Sequence, residues 1–346
     1  MINLLILPSL FPTSKADIKG IFTLDYAWCV LPYCNVSVFT LEFSNQSRPP
    51  SIETWNGVKI HRHYITGNKG SNPISKALAY QRWFKIGASI IAKEFSGIDL
   101  IHVHGSPLYG NMARRVFLSK KIPYLITEHT GPFTKISGNL LNRLFAQKAW
   151  KNASKLLTVS QDLAQQILNS GMKPPPLEVS FNPVDTRTFA FAKKNSPSAP
   201  HTFTFAGRLE AYKGGLKTVK AFEKSGLKGA GWQLNIIGDG PERQVIEEFI
   251  ANHKLEDRVK MLGSMTKKEM AEIYNRSDVF VFPSEHETFG LVIAEAMSCG
   301  LPAIVGNETA PKEIIAPGTG ITVSPFSIDE ISKAMIDMSK SFHEYD

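Results

Sequence analysis

Two glutamates eight residues apart, Glu287 and Glu295, flank an apolar stretch that opens Thr288-Phe289-Gly290-Leu291. Residues 289–299 read as a helix, with Thr288 as its N-cap, Gly300 at its stop and Pro302 preventing continuation. A helix start leaves backbone N–H groups unpaired and carries positive partial charge, so it favours a phosphate. Gly290 lets such a group approach the backbone closely. Glu287 then precedes the anion site, and Glu295 stands about a turn and a half into the helix. Carboxylates so placed can accept hydrogen bonds from hydroxyls on either side of a diphosphate. The competing reading is an amphipathic helix with two solvated glutamates, and other parts of the chain decide between them.

Arg208 and Lys213, five residues apart in Phe205-Ala206-Gly207-Arg208-Leu209-Glu210-Ala211-Tyr212-Lys213-Gly214, follow a strand and precede a helix. Around such a turn a guanidinium fork and an ammonium point charge can converge on one diphosphate. His129, in Thr127-Glu128-His129-Thr130-Gly131-Pro132-Phe133, closes another strand and can meet a sugar hydroxyl; Glu128 is a lesser candidate. His61, His63, His102 and His104 read as packed or surface histidines. Ile237-Gly238-Asp239-Gly240-Pro241-Glu242-Arg243 is a broken dinucleotide fingerprint, with Arg243 in place of the third glycine and Asp239 and Pro241 crowding the turn. The first strand has no glycine turn after it, which argues against a nicotinamide dehydrogenase. No two aspartates stand two apart, so there is no D-x-D metal-diphosphate motif, and no G-x-S-x-G nucleophile elbow occurs.

The chain of 346 residues, 43% hydrophobic and 20% charged, is long enough for two soluble domains. No apolar run reaches membrane-spanning length, and the N-terminal residues read as a first strand rather than a leader. Cys29, Cys34 and Cys299 have neither metal-ligand spacing nor an even count, which points to a reduced, cytoplasmic protein. Residues 1–186 hold 20 Lys/Arg against 10 Asp/Glu, whereas residues 187–346 hold 19 against 21. A basic first half implies an anionic partner: nucleic acid, anionic lipid or a phosphorylated acceptor. On 72–95, cations interleave with aromatics (Lys76, Arg82, Trp83, Phe84, Lys85), a pattern that suits either a sheet-flanking helix with snorkelling lysines or a face on anionic lipid.

β-branched runs alternate with helical patterns, the signature of α/β units around parallel sheets. Strands are expected at 3–7, 36–41, 58–61, 100–103, 124–127 and 155–159, with helices at 22–31, 75–95, 108–119, 139–152 and 161–169. After a break around Pro183 and the linker-like 193–198, strands follow at 202–206, 233–237, 259–262, 279–282, 303–305 and 320–323. Helices there are expected at 214–225, 241–253, 267–275, 291–299 and 328–339. Two such series predict an α/β fold of two Rossmann-like domains, 1–186 and 187–346, with parallel sheets facing across a cleft. Ligands in open α/β sheets bind beyond the carboxyl ends of strands, so the cleft is the expected site.

The run 287–297, continuing through Ser298-Cys299-Gly300-Leu301-Pro302, resembles the E-x7-E signature of the retaining glycosyltransferase family GT4, of the GT-B superfamily. Phe205 to Gly214 resembles the family's G-R-x(4)-K-G element, and the Gly238-Asp239-Gly240-Pro241 stretch resembles a structural turn of the same family. The resemblance implies transfer of a sugar, with retention, from a nucleoside diphosphate donor to a hydroxyl of a glycan or polyprenyl-linked acceptor. It further implies that Arg208 and Lys213 hold the diphosphate, helped by the backbone of Phe289, Gly290 and Leu291. Glu295 would accept from ribose hydroxyls, Glu287 from the transferred sugar, and His129 would contact that sugar. Gly20, Gly207 and Gly263 complete the expected donor-binding set.

Several departures stand out. Family members often carry a Gly-Gly pair in the loop after the first strand, where this chain has only Gly20 after Ile18-Lys19. Asn182-Pro183-Val184-Asp185 has proline where the family has glycine. The family usually finishes with a helix returning to the first domain; here the sequence stops at Asp346, leaving either a truncated chain or a less restrained closure. With no metal motif, the expectation is metal-independent chemistry without a cofactor, in which protein cations neutralise the leaving group. Cell-surface polysaccharide or lipopolysaccharide synthesis at the inner membrane face is the expected setting, with an anionic membrane surface as a contact of the N-terminal half and no nucleic acid. The rivals are a sugar-nucleotide epimerase of the same fold and a non-catalytic basic protein binding lipid or nucleic acid, though no RNA-binding signature is present.

Overall fold

The computed structural model describes residues 1–14, 20–192 and 200–345, so the stretch 193–198 and the Ile18-Lys19 pair lie outside the described residues. The chain divides into two compact units, Met1–Pro183 and Val184–Asp346, a few residues ahead of the boundary read from the sequence.

The first unit holds strands β1 (Ile2–Pro8), β2 (Cys34–Ser44), β3 (Ser51–Trp55), β4 (Val58–Thr66), β5 (Leu100–His104), β6 (Tyr124–Glu128), β7 (Lys155–Thr158) and β8 (Leu177–Val179). Its helices are α1 (Ile21–Val30), α2 (Pro73–Glu94), α3 (Tyr109–Lys120), α4 (Thr134–Ser137), α5 (Leu140–Trp150) and α6 (Gln161–Asn169). The strands form one sheet in the order β3-β4-β2-β1-β5-β6-β7-β8. Strand β1 is central, with Leu4 opposite Val36 on one side and Leu100 on the other. Leu4, Leu5, Ile6 and Leu7 are all buried, as a parallel strand covered on both faces requires.

The sheet is not wholly parallel. β3 pairs antiparallel with β4, and Trp55 lies opposite Val58 across a two-residue turn. Asn56 (φ 46°) and Gly57 (φ 88°) both take positive φ, the demand of a type I′ hairpin turn. The Asn-Gly dipeptide was the available signal for this edge strand, but the run before it is too polar to read as buried sheet.

The second unit holds β9 (Thr202–Ala206), β10 (Gln233–Ile237), β11 (Val259–Gly263), β12 (Val279–Phe282), β13 (Ala303–Gly306) and β14 (Gly320–Val323). Helices α7 (Gly215–Ser225), α8 (Arg243–Asn252), α9 (Lys267–Tyr274), α10 (Leu291–Ser298) and α11 (Ile328–Ser341) accompany them. The sheet order is β11-β10-β9-β12-β13-β14, with every described pairing parallel. Phe203, Phe205, Phe280 and Phe282 fill its core. The buried hydroxyls of Thr204 and Ser277 satisfy each other at 2.6 Å.

Strand order reverses next to β1 in the first sheet and next to β9 in the second. At such a switch point neighbouring loops leave in opposite directions and open a crevice at the carboxyl edge. In the second unit the crevice lies between the ends of β9 and β12, and glycines shape it. Gly238 (φ 131°) lets the chain after β10 pass over the end of β9, where a Cβ would stand 1.9 Å from the carbonyl oxygen of Gly207. A Cβ on Gly240 would come 2.6 Å from the Leu209 carbonyl oxygen. The Leu209 N–H donates to the Asp239 carbonyl and the Glu242 N–H to the Leu209 carbonyl, so the 238–242 turn holds the 207–209 turn in place. Gly238→Ala combines a backbone clash with strained φ. It is expected to lower the stability of the second unit by about 2 kcal/mol or more, read as a lower urea midpoint in equilibrium unfolding.

Candidate functional site

Lys213 and Glu287, placed by sequence on separate motifs, form an ion pair with each other. Both side chains are largely buried, 19% and 12% exposed, so the pair is shielded from solvent. Lys213 ends a short 3-10 turn (Ala211–Lys213) after β9, and the left-handed Gly214 (φ 85°) carries the chain into α7. A Cβ at Gly214 would lie 2.7 Å from the Pro283 carbonyl, so this turn rides directly on the loop leaving β12. That loop is laced to it: Glu285 N–H and Ser284 Oγ–H both donate to the Tyr212 carbonyl, at 2.8 and 3.1 Å. The Glu287 N–H donates to Thr309 Oγ1 at 3.1 Å, which ties the loop after β13 to the same place. The ammonium of Lys213 also stands 5.3 Å from the Tyr212 ring centroid and 5.8 Å from that of Phe282, where ring faces favour a cation.

A second pair runs alongside. Lys217, in the first turn of α7 and four residues after Lys213, binds Glu285 and donates to the Pro325 carbonyl at 2.8 Å. Neither residue was singled out from sequence; the only signal was the four-residue spacing of the lysines opposite acids two apart. Arg208 behaves differently. Its guanidinium is 69% exposed and held by Glu210 at 2.9 Å, outside the Lys213–Glu287 pair. An exposed guanidinium on a turn is free to swing onto an anion.

Helix α10 begins at Leu291, the start expected among the alternating elements and two residues after the 289 start read from the glutamate motif. Thr288 is not its N-cap: the cap is Gly290 at φ 96°, with no side-chain cap. A Cβ there would come 2.7 Å from Ile293 Cδ1. Ile293 N–H turns back to the Gly290 carbonyl at 2.9 Å, while an α-helix start gives the N–H groups of Leu291 and Val292 no intrahelical acceptor. Phe289 is buried beside this turn. Glu295 is only 4% exposed, and its carboxylate lies 3.9 Å from the Lys267 ammonium at the start of α9. It shares a loop and helix with Glu287 but no described contact. Gly207 packs under Phe282, its Cβ position 3.0 Å from Cε2 of that ring. Gly263 closes β11, two strands from β9, and its carbonyl accepts from Gly238 N–H at 2.8 Å. Gly263 therefore belongs to the scaffold of the glycine turns.

In the first unit, Gly20 (φ 75°) caps α1 against the end of β1, where a Cβ would stand 2.5 Å from the Leu10 carbonyl. Two residues on, Phe22 packs its ring 4.4 Å from that of His129. His129 Nε2 bonds His104 Nδ1 at 2.9 Å. The His104 ring in turn lies 4.3 Å from His102, whose Nε2 bonds Thr127 Oγ1 at 2.7 Å. The sequence reading set His102 and His104 aside; the parallel register of β5 and β6 brings them onto His129. Glu128 is fully buried, and its carboxylate accepts from the N–H groups of Ser106, His129 and Thr130. The Ser106 hydroxyl donates to the same carboxylate, and the two bonds from the 129 and 130 N–H groups make Glu128 a clamp on the 129–130 turn.

Burial pushes His129 and His102 down to about 3 and His104 well below its ordinary value, so all three rings are neutral near pH 7. In the unfolded chain they titrate near 6.5. Between that value and about 3 the unfolded state takes up protons that the folded state refuses, so stability present above pH 6.5 is lost as pH falls. Urea midpoints are therefore expected to fall steadily from pH 7 to pH 4.5, and His102→Gln together with His104→Asn should flatten that slope.

The family model described as "Glycosyl transferases group 1" matches residues 186–344, and the one described as "Glycosyltransferase Family 4" matches residues 33–188. Among curated relatives, the glycogen synthase of Mycobacterium tuberculosis is 24% identical over 245 residues, covering 68% of this chain and 59% of that protein. The lipopolysaccharide 1,6-galactosyltransferase of Salmonella typhimurium is 27% identical over 178 residues, half of this chain and 49% of its own. The chain thus matches only half to three fifths of the length of these two relatives. Among solved structures, Anabaena HepE in complex with UDP and glucose superposes with a TM-score of 0.71 at 17% identity, covering 100% of this chain and 92% of that one, a likeness of fold. With one family model on each unit, the two together running from residue 33 to residue 344, the chain belongs to the GT4-type glycosyltransferases.

Proposed function

We propose that the protein transfers a sugar, with retention, from a nucleoside diphosphate-sugar to a hydroxyl of a glycan or lipid-linked acceptor. The observation that carries this reading is the shielded Lys213–Glu287 pair at the carboxyl edge of the second sheet. An ammonium held by a carboxylate is preorganised for an anion. When a diphosphate arrives, Lys213 turns to it and Glu287 is released to accept from a hydroxyl of the transferred sugar. Arg208 swings from Glu210 onto the same diphosphate, and the first N–H groups of α10 add their partial charge. Fixed cations aimed at the charge that develops on the leaving group lower the barrier without reorganisation. Glu295 accepts from the ribose hydroxyls and His129 contacts the sugar. In this reading the protein cations neutralise the leaving group and the transfer needs no metal or cofactor, in keeping with a sequence that lacks D-x-D. The HepE complex with UDP and glucose supports the donor class.

The relative that acts on lipopolysaccharide supports a setting in cell-surface polysaccharide or lipopolysaccharide synthesis, at the cytoplasmic face of a membrane. None of the helices among the described residues is long and apolar enough to cross a membrane. Attachment would instead run through the basic first unit. On α2, Ile74 and Leu78 are 75% and 67% exposed, and the exposed Arg82 and Lys85 continue the same stripe at helical spacing. On α5, Leu140 and Leu144 are 73% and 57% exposed and precede the exposed Lys148. Tyr80 and Phe145, 6.2 Å apart, pack the two helices together. Apolar side chains beside cations suit an anionic lipid surface.

Lys213→Ala is expected to lower kcat/KM for the donor by about 100-fold, the usual loss on removing one preorganised charge stabiliser. Glu295→Ala should raise donor KM about tenfold. Both are read by mass spectrometry against a panel of nucleotide sugars. Wild-type turnover in both variants would overturn these assignments, and a changed sugar without acceptor would make the enzyme an epimerase. In a flotation assay, phosphatidylglycerol vesicles at low salt should retain the protein and phosphatidylcholine vesicles should not, with Leu78→Ser plus Leu144→Ser releasing it. Equal behaviour of the two lipids would remove the membrane assignment.

A further inference from the structure

The histidine cluster of the first unit carries a proton arrangement that the transfer reading does not supply. His104 is 2% exposed, and its Nε2 has no hydrogen-bond partner among the described residues. Its other nitrogen, Nδ1, lies 2.9 Å from His129 Nε2. Both rings are neutral, so each carries one proton and exactly one of the two facing nitrogens donates. Were the proton of His104 on Nε2, a buried N–H would be left without an acceptor, an arrangement rarer in folded proteins than a buried lone pair without a donor. The proton therefore sits on Nδ1, which donates to the lone pair of His129 Nε2. His129 must then carry its own proton on Nδ1, the nitrogen for which no described protein partner exists.

We propose that His104 is a positioning residue that fixes His129 as the Nδ1–H tautomer, so that His129 presents a hydrogen-bond donor to its ligand. Which nitrogen of a histidine is protonated follows from the bond the other one makes. Packing holds the geometry: Phe22 lies on the His129 ring at 4.4 Å, and Tyr26 stands edge-on to His104 at 5.0 Å and to His102 at 4.7 Å. Glu128 fixes the His129 and Thr130 N–H groups at 3.0 and 2.9 Å, which sets the backbone from which the ring projects. The ligand class that fits a neutral N–H donor is an oxygen acceptor: a sugar hydroxyl, or an oxygen of the departing phosphate. A neutral ring whose lone pair is already engaged cannot take a proton from the acceptor hydroxyl, so His129 does not serve as the general base.

This inference rests on the sugar-transfer reading for its ligand but not for its tautomer. The test labels the full chain with 15N-histidine and records long-range 1H–15N correlations at pH 7, with His129→Asn identifying the His129 ring. The wild type should show His129 protonated on Nδ1, against the Nε2–H form that free histidine prefers. His104→Asn, whose amide N–H can take the place of Nδ1–H, should keep that signature and most of the turnover. His104→Phe, which keeps a ring but no donor, should shift His129 toward the Nε2–H form and lower kcat/KM about tenfold, the loss of about one hydrogen bond to substrate. An Nε2–H His129 in the wild type, or a tautomer unmoved by His104→Phe in a folded variant, overturns the proposal. The stated tautomer without sugar transfer from any donor would sink the transfer reading alone; transfer with the other tautomer would sink only the inference.

Discussion

The pairing of the Lys213 ammonium with the Glu287 carboxylate is the interaction that joins the turns at the carboxyl edge of the second sheet. Removing either partner of a pair this shielded would strand the other charge in a poorly solvated place. The pair is possible only because two loops from different strands are bound backbone to backbone. Glu285 and Ser284 donate to the carbonyl of Tyr212, and Gly214 lies against the Pro283 carbonyl. The ammonium is therefore presented by a rigid turn rather than by a free side chain. In the proposed transfer, a cation already positioned and partly desolvated favours a diphosphate.

The glycines of the second unit serve the same end. Gly238 and Gly240 let the turn after β10 lie directly on the turn after β9, with the N–H of Leu209 and the N–H of Glu242 closing the contact. This gives the glycines of the G-D-G-P stretch a structural reason independent of any phosphate. Its backbone is committed to the neighbouring turn, and its glycines are required by close approaches to the backbone of Gly207 and Leu209. Arg208, which projects from the turn so supported, is largely exposed and pairs with Glu210.

The first unit works by burial. Three histidines on or just beyond adjacent strand ends stay neutral because burial disfavours their charged form, and a hydrogen bond between His104 Nδ1 and His129 Nε2 joins two of the rings. Glu128, which a sequence reader would place among catalytic acids, spends both oxygens on backbone N–H groups and on Ser106. Its role is to hold the 129–130 turn. Trp150 donates to the same Ser106 hydroxyl at 3.0 Å, linking α5 to this arrangement.

Much of the architecture was legible because its signals are local. Alternating β-branched runs and helical periods announced two α/β units, and motif spacing placed Arg208, Lys213, Glu287 and Glu295 around strand ends and one helix start. Local signals failed where geometry overrode propensity. Thr288 looked like a cap, but the chain reaches α10 through a left-handed Gly290. β3 was hidden because an edge strand need not be apolar. What the sequence could not decide was which side chains meet. Lys213 and Glu287 are 74 residues apart and His104 and His129 are 25, and each pair is joined by strand order and register. Residue types set the available charges and protons by themselves; only the parallel pairing of β9 with β12 and of β5 with β6 chose their partners, because ion pairs and hydrogen bonds act over a few ångströms and sequence distance does not.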